Sequence, residues 1–257
     1  MGKINGATIQ LDRLTKTFGD FHAVNDVSLE VNKGEIFGFV GLNGAGKSTT
    51  IHMMLSLLKP TSGNVYLQGR KVDFGSYELW AKVGFLEEAN YYPELTVEEN
   101  LDIARRMQGL PDKQCISRMI QKLGLTPHKS KKAKNLSLGN KQRLGLAKAM
   151  IHDPEILILD EPINGLDPAG VVEIRDALLD LSKNHGVTVF LSSHLLGELA
   201  KLADRIGIIH ERKLMQNISM TELEGKLKHL PPPQIDVVAA NLENYFLQTI
   251  HGGGKTL

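Results

Sequence analysis

A nine-residue stretch at positions 41–49 carries the residue types needed to bind phosphate groups. It reads GLNGAGKST and matches the pattern G-x-x-x-x-G-K-[ST] throughout. Its glycines let the backbone turn tightly and point amide groups inward, and the start of a following helix adds partial positive charge. We expect Lys47 to reach the β- and γ-phosphates and Ser48 to hold Mg²⁺. The predicted nucleotide contacts are Gly41, Leu42, Asn43, Gly44, Ala45, Gly46, Lys47, Ser48 and Thr49.

Two acidic residues follow a short apolar run further along the chain. Residues 156–159 read ILIL, which predicts a strand covered on both faces, as in a parallel sheet. Asp160 and Glu161 come directly after it, at the strand end where α/β proteins place their ligand chemistry. Asp160 could help to hold Mg²⁺, and Glu161 could orient and polarise an attacking water. His194 follows the next buried strand, so it could lie beside Glu161 near the γ-phosphate.

Two further positions allow two interpretations each. Phe18 could stack on a purine, because every base has a π-face, or it could fill the edge of a core. Residues 136–142 read LSLGNKQ and predict a helix that begins at Ser137. The start of that helix could bind an anion, but the residues alone favour a simple N-cap.

The elements that must position these residues alternate between strands and helices. Apolar and polar residues alternate in the first two predicted strands, which gives each one solvent-facing side. Thr96 and Glu99 form a capping box that opens a helix through Met107, and helix formers dominate from there to about position 150. The order of elements predicts an α/β chain with a helical insertion. The family resemblance given below implies the fuller prediction, a P-loop NTPase core with a mostly parallel sheet, an N-terminal antiparallel β subdomain and a helical insertion. The predicted strands are residues 8–14, 24–31, 36–40, 65–67, 71–72, 83–86, 156–159, 187–191, 206–209 and 213–217, and a helix is predicted over 47–58.

Composition restricts the class of protein. The chain has 257 residues, enough for one large domain or two small ones, and its net charge of +1 gives no electrostatic case for nucleic acid. Its single cysteine, Cys115, excludes an internal disulfide and fits a reducing compartment. No apolar run approaches the roughly 18 residues of a membrane span, and the first ten residues lack the apolar core of a signal peptide. We therefore expect a cytoplasmic protein.

Taken together, the motifs and their order resemble the ATP-binding cassette (ABC) family of transporter ATPases over residues from about 8 to 217. Residues 41–49 are similar to the Walker A motif, residues 156–160 to Walker B, and residues 136–142 to the signature motif. By this resemblance Glu161 is the catalytic glutamate, His194 the switch histidine and Phe18 the adenine-stacking aromatic. Asp167, in Gly165-Leu166-Asp167, resembles the D-loop.

The resemblance implies a dimer that uses ATP and Mg²⁺. In the family, each ATP is held between the Walker A motif of one cassette and the signature motif of the other. Ser137 and Gly139 would therefore bind the γ-phosphate on a second copy. The resemblance also implies a separate transmembrane permease, a position on the inner face of the membrane through that permease, and no nucleic acid. The expected domains are an ABC nucleotide-binding domain at 1–220, with a helical subdomain over about 90–152, and a short C-terminal helix and tail at 221–257.

This sequence departs from the family pattern at four positions. The family's Leu-Ser-Gly-Gly-Gln is Leu-Ser-Leu-Gly-Asn here, because Leu138 and Asn140 replace glycine and glutamine. Glu88 stands where the Q-loop glutamine is expected, as a further candidate ligand of Mg²⁺, and Phe18 lacks a hydroxyl group. These features are similar to bacterial bacitracin and lantibiotic exporter ATPases.

Two other functions are compatible with the fold. An importer ATPase is less favoured because the chain lacks the regulatory domain that many importers carry at their C-terminus. A soluble ABC ATPase of DNA repair would need a long coiled-coil insertion between the Walker motifs. A soluble ABC ATPase of translation would usually carry two cassettes. This sequence shows neither feature. The leading prediction is therefore the motor subunit of an exporter of an antimicrobial peptide, a drug or another amphiphile.

Overall fold

The computed structural model describes residues 7–73, 75–87 and 90–227. These residues form two compact units. The chain begins in the first unit, passes through the second and returns to the first. The first unit comprises 7–73 and 190–227, and the second comprises Gly75–Val189. The position of Glu88 lies outside the described residues, and so does most of the predicted C-terminal segment.

The first unit is built on two sets of strands. Four antiparallel strands lie in the order β2-β1-β4-β5, and a second set runs β10-β9-β3-β8. Strand β3 is parallel to β9, which in turn pairs antiparallel with β10. The elements are β1 (Ala7–Phe18), β2 (Phe21–Asn32), β3 (Ile36–Val40), α1 (Lys47–Met54), β4 (Ser62–Leu67), β5 (Arg70–Lys71), the last four residues of β8 (Thr188–Ser193), α7 (Leu196–Ala200), β9 (Arg205–His210), β10 (Lys213–Ser219) and α8 (Met220–Leu227).

Strand β3 carries the core of the first unit and leads into the phosphate loop. All five of its residues are buried, and the rings of Phe37 and Phe39 lie 5.7 Å and 5.5 Å from the ring of Phe190 on β8. Such aromatic contacts add to the apolar area that the strands bury. The end of β3, where the phosphate loop begins, is therefore held by packed aromatic side chains.

Two predicted boundaries in this unit are wrong by four residues. Strand β1 extends beyond Leu14 to Phe18, which pairs with Phe21 across a two-residue turn. Helix α1 ends at Met54 and not at Leu58. Ser56 adopts a left-handed backbone with φ of 58°, and the next amide donates back to the His52 carbonyl, a bond that closes helix ends.

The second unit contains a pair of parallel strands and most of the helices. Strand β6 runs parallel to β7, with Val83 opposite Ile156 and Leu86 opposite Leu159, which confirms the parallel environment predicted for the ILIL run. The capping box of Thr96 and Glu99 is present at the start of α3. The elements are α2 (Tyr77–Trp80), β6 (Val83–Leu86), α3 (Val97–Met107), α4 (Gln114–Lys122), α5 (Leu138–Met150), β7 (Ile156–Leu159) and α6 (Pro168–His185).

Candidate nucleotide-binding site

The phosphate loop joins the buried strand β3 to helix α1, as the spacing of its residues predicts. Within the loop, the Ala45 amide donates to the Leu42 carbonyl at 3.1 Å. Gly46 caps the helix with φ of 106°, and a Cβ atom there would stand 2.6 Å from the Ala23 carbonyl oxygen. Only glycine fits this position, because both the backbone angle and the close approach exclude a side chain. The loop is thereby held at the positive end of α1.

Lys47 is folded over the loop that it follows. The residue is 6% exposed, and its Nζ donates to the Gly41 carbonyl at 2.8 Å and to the Leu42 carbonyl at 3.4 Å. A bound phosphate would offer this ammonium group charged acceptors in place of neutral carbonyls. Ser48 is exposed beside it, so its hydroxyl can serve as an oxygen ligand for a cation.

Two exposed phenylalanines form an aromatic edge in the same unit. Phe18 and Phe21 are each 51% exposed, and as cross-strand partners they share one face of the hairpin. The Lys16 ammonium lies 4.8 Å from the Phe18 ring centroid, and the Arg212 guanidinium lies 4.2 Å from that of Phe21. The ring of Phe18 is accessible for the stacking predicted from the sequence.

Arg212 also lines a cleft with the phosphate loop. The cleft has a volume of about 480 Å³ and is formed by residues 42–45 on one side and 210–212 on the other. The sequence does not mark Phe21 or Arg212 as candidate site residues. Each lies near a turn between two predicted strands, and nothing in the sequence places the turn at Arg212 beside a loop some 170 positions earlier.

The acidic pair lies at the end of β7 in the second unit. The Asp160 amide donates to the Leu86 carbonyl at 2.7 Å, which continues the pairing of β6 with β7 by one residue. Glu161 has φ of 48°, in the left-handed region that a glutamate rarely adopts. Such a backbone costs of order 1–3 kcal/mol and is concentrated at functional sites. Its carbonyl accepts from the Asn164 amide at 3.1 Å, so the chain turns sharply after the strand.

The predicted signature motif and D-loop meet in the second unit. Ser137 caps α5, and its hydroxyl accepts from the backbone amide of Asn140. Asp167 caps α6, accepting from the Gly170 amide at 2.9 Å. Leu138 contacts the turn at Gly165. The structure thus brings together two motifs that are far apart in the sequence.

His194 occupies an exposed bend directly after β8 in the first unit. Phe18 and the phosphate loop share that unit with it. Asp160, Glu161, Asp167 and residues 137–140 belong to the second unit. The predicted proximity of His194 to Glu161, and the role of Glu88, therefore stay predictions.

A groove of about 250 Å³ in the second unit lies between β6 and helices α3 and α5. Phe85 and Met107 line it and are 51% and 78% exposed. Lys148 and His152 lie on its α5 side, where burial lowers the pKa of both side chains. Lys148 donates to the Asn90 carbonyl, and a His152 nitrogen lies 3.2 Å from the Val83 carbonyl oxygen.

The residues present suit a magnesium ion bound together with nucleotide. Within the described ranges, no three His, Cys, Asp or Glu side chains cluster so that they could hold a metal. Mg²⁺ in nucleotide sites needs only one or two protein oxygens beside phosphates and water. The exposed Ser48 hydroxyl in the first unit is a ligand of that kind, and the Asp160 carboxylate in the second unit stays a predicted one.

None of the helices in residues 7–73, 75–87 and 90–227 combines the length and apolar character needed to cross a bilayer.

Comparison with known proteins gives concordant matches. The ABC transporter family model matches residues 24–164. The chain is 45% identical over 219 residues to the bacitracin transport ATP-binding protein BcrA of Enterococcus faecalis, covering 85% of this chain and 71% of that protein. It is 36% identical over 207 residues to the lantibiotic transport ATP-binding protein SrtF of Streptococcus pyogenes, covering 80% and 89%.

A solved structure extends the similarity to the fold. It is the dimeric, post-hydrolysis state of the ATP-binding cassette MJ0796 bound to ADP and Pi, with a TM-score of 0.75 and 26% identity. The match covers 82% of this chain and 98% of that one. Together with the observed strands and helices, it confirms the predicted α/β fold class.

Proposed function

Because the chain belongs to the ABC transporter family, we propose that it is the ATP-hydrolysing motor subunit of a membrane exporter for an antimicrobial peptide, a drug or another amphiphile. The position of Lys47 is the observation that supports nucleotide binding. Its buried ammonium closes the phosphate loop at the start of α1, where backbone amides and the helix dipole favour an anion. The exporter part rests on the similarity to BcrA and SrtF.

The chain's own residues divide the work of hydrolysis. Lys47 and the loop amides bind the β- and γ-phosphates, and Phe18 stacks on adenine. Ser48, Asp160 and Glu88 are the proposed ligands of Mg²⁺, which neutralises charge that develops on the phosphates. Glu161 orients and polarises the attacking water, and His194 hydrogen-bonds the γ-phosphate.

A second copy of the chain completes each site. Ser137 and Gly139 of one copy contact the γ-phosphate on the other, with Leu138 and Asn140 beside them and Asp167 in the adjoining D-loop. Two observations support this arrangement. Ser137 is exposed at the N-terminus of α5, which favours an anion, and the similar cassette MJ0796 is dimeric.

A separate permease carries the substrate and holds the ATPase at the inner face of the membrane. We propose that a short segment of it docks in the groove between β6, α3 and α5. The exposed side chains of Phe85 and Met107 provide an apolar surface against which that segment would pack. Exposed apolar side chains grouped in a groove are typical of a protein-binding surface. Glu88, one residue beyond the groove residue Glu87, would link the docked segment to the nucleotide.

The Glu161→Gln variant tests the motor function. It removes the carboxylate that polarises water but keeps the size of the side chain, so we expect ATP binding without turnover and an accumulated ATP-bound dimer. Phosphate release and sedimentation velocity measure the two effects. Glu155→Gln, an acid at the opposite end of β7 that pairs with Lys82, is the control and should hydrolyse ATP normally. Wild-type turnover in Glu161→Gln would remove Glu161 from this role.

Partner capture and cell sensitivity test the exporter function. The full-length chain, purified from its own membranes, should bring a polytopic permease with it. Deleting the chain should sensitise cells to a bacitracin- or lantibiotic-class peptide, and the wild type but not Glu161→Gln should restore resistance. Unchanged sensitivity across such peptides, or a protein purified without any permease, would contradict the proposal.

A further inference from the structure

The side chain of Asn140 is bonded to the serine that caps the same helix. The Ser137 hydroxyl oxygen accepts from the Asn140 backbone amide at 3.3 Å, as N-cap serines commonly do. It also accepts from the Asn140 side-chain amide, with Nδ2 at 3.0 Å from Oγ. One residue therefore supplies two donors to one hydroxyl oxygen.

These two bonds decide how the hydroxyl group can act. A serine hydroxyl has two lone pairs and one hydrogen. When both lone pairs accept from Asn140, the hydrogen must point elsewhere. Ser137 is exposed at the N-terminus of α5, so that direction is outward from the helix. A group that approaches from solvent meets a hydrogen-bond donor and not a lone pair.

We propose that Asn140 is a positioning residue, which fixes the Ser137 hydroxyl as a donor to the γ-phosphate of ATP bound by a second copy of this chain. The proposal rests on the dimeric ATPase function above and adds a role for a residue that departs from the family's glutamine. A phosphate oxygen accepts hydrogen bonds only, so a hydroxyl oriented beforehand needs no rearrangement when the dimer closes. Such preorganisation increases affinity because less ordering remains for the binding step.

Neighbouring contacts hold the same end of the helix. The Lys141 amide donates to the Ser137 carbonyl at 2.9 Å, which starts the regular pattern of α5. Gly139 beside the hydroxyl is partly exposed, and a Cβ placed on it would make an ordinary van der Waals contact with Leu166 Cδ2 at 3.8 Å. The hydroxyl is thus held at a regular helix start next to partly exposed backbone.

The test uses ATP-dependent dimerisation in the Glu161→Gln background, measured by sedimentation equilibrium. Asn140→Leu keeps the side-chain size but removes the side-chain donor, and we expect dimerisation to weaken by about threefold to tenfold per site, the usual worth of one hydrogen bond. Asn140→Asp should weaken it more, because a carboxylate would accept the Ser137 hydrogen and turn it inward. Asn140→Gln retains an amide and should restore part of the loss. Asn184→Leu, an asparagine on α6, is the control and should match the parent.

Two readouts separate positioning from a general structural effect. ATP affinity of the monomer should not change in Asn140→Leu, because each chain binds ATP through its own phosphate loop. In a double-mutant cycle with Ser137→Ala, Asn140→Leu should cause no further loss, since the hydroxyl it positions is gone. An equal loss with and without the Ser137 hydroxyl would overturn the proposal, and so would parent-like dimerisation of Asn140→Leu. A parent that forms no ATP-dependent dimer would instead refute the dimeric function itself.

Discussion

Leu138 Cδ2 lies 2.8 Å from the point that a Cβ atom on Gly165 would occupy. The first residue of α5 therefore lies against the turn that precedes Asp167, and a side chain at Gly165 would require Leu138 to move. Leu138, which stands in the predicted signature motif where the family has glycine, thus lies against the predicted D-loop of its own chain.

Gly165→Ala should destabilise the second unit through both contact and backbone strain. Gly165 has φ of 70°, so alanine costs about 1 kcal/mol in backbone energy. The half-exposed Leu138 side chain must also move aside, which adds of order 0.5–1 kcal/mol. Gly186→Ala is the matched control, because Gly186 has φ of 66° but open space around it. Urea unfolding should show a larger loss for Gly165→Ala than for Gly186→Ala, and adding Leu138→Gly should bring the two close together. Equal losses for the two alanine variants would contradict the contact.

Lys47→Ala should abolish tight ATP binding. Loss of a charged donor to phosphate costs about 1.5–3 kcal/mol per bond, which corresponds to at least about a tenfold loss of affinity. Titration of a fluorescent ATP analogue measures the change, with the exposed Lys33→Ala as a control of equal charge. Unchanged affinity in Lys47→Ala would refute the assignment of the phosphate loop.

His152→Gln should reduce the acid sensitivity of folding. Burial lowers the pKa of His152 in the folded chain below the usual value of about 6.5. Below that pH the unfolded chain binds a proton that the folded chain does not yet accept, so the free energy of unfolding falls as pH falls through 6.5. Between pH 7.5 and 5.5 the wild type should lose more stability than His152→Gln in urea unfolding. Parallel curves for His152→Gln and wild type would disprove the effect.

Glu88→Gln should raise the Mg²⁺ concentration that hydrolysis requires. A carboxylate near the γ-phosphate attracts the cation more strongly than an amide does. We therefore expect half-maximal ATPase activity at a lower Mg²⁺ concentration in the wild type than in the variant. Glu87→Gln, at the neighbouring position, should leave the titration unchanged. Identical Mg²⁺ titrations for wild type and Glu88→Gln would end this hypothesis.

Local chemistry in the sequence was enough to predict several parts of the site. The phosphate loop, the capping box at Thr96, the N-cap serine of α5 and the buried strand before Asp160 all form as predicted. Each depends on hydrogen bonds or side-chain periodicity within a few residues, and these act wherever the segment lies in the fold. The end of α1 was missed because a left-handed residue at Ser56 closes the helix without glycine.

The tertiary structure alone decided which distant residues touch. The sequence showed Leu138 as a departure from a family pattern, but its contact with Gly165 requires α5 and the turn before α6 to pack side by side. In the same way, the stacking of Arg212 on Phe21 depends on the register of two hairpins that lie far apart in the chain. The sequence by itself determined which groups are candidates to bind and hydrolyse a nucleotide. Packing determined their neighbours, because contacts between distant segments depend on strand order and register, which no local pattern of residues specifies.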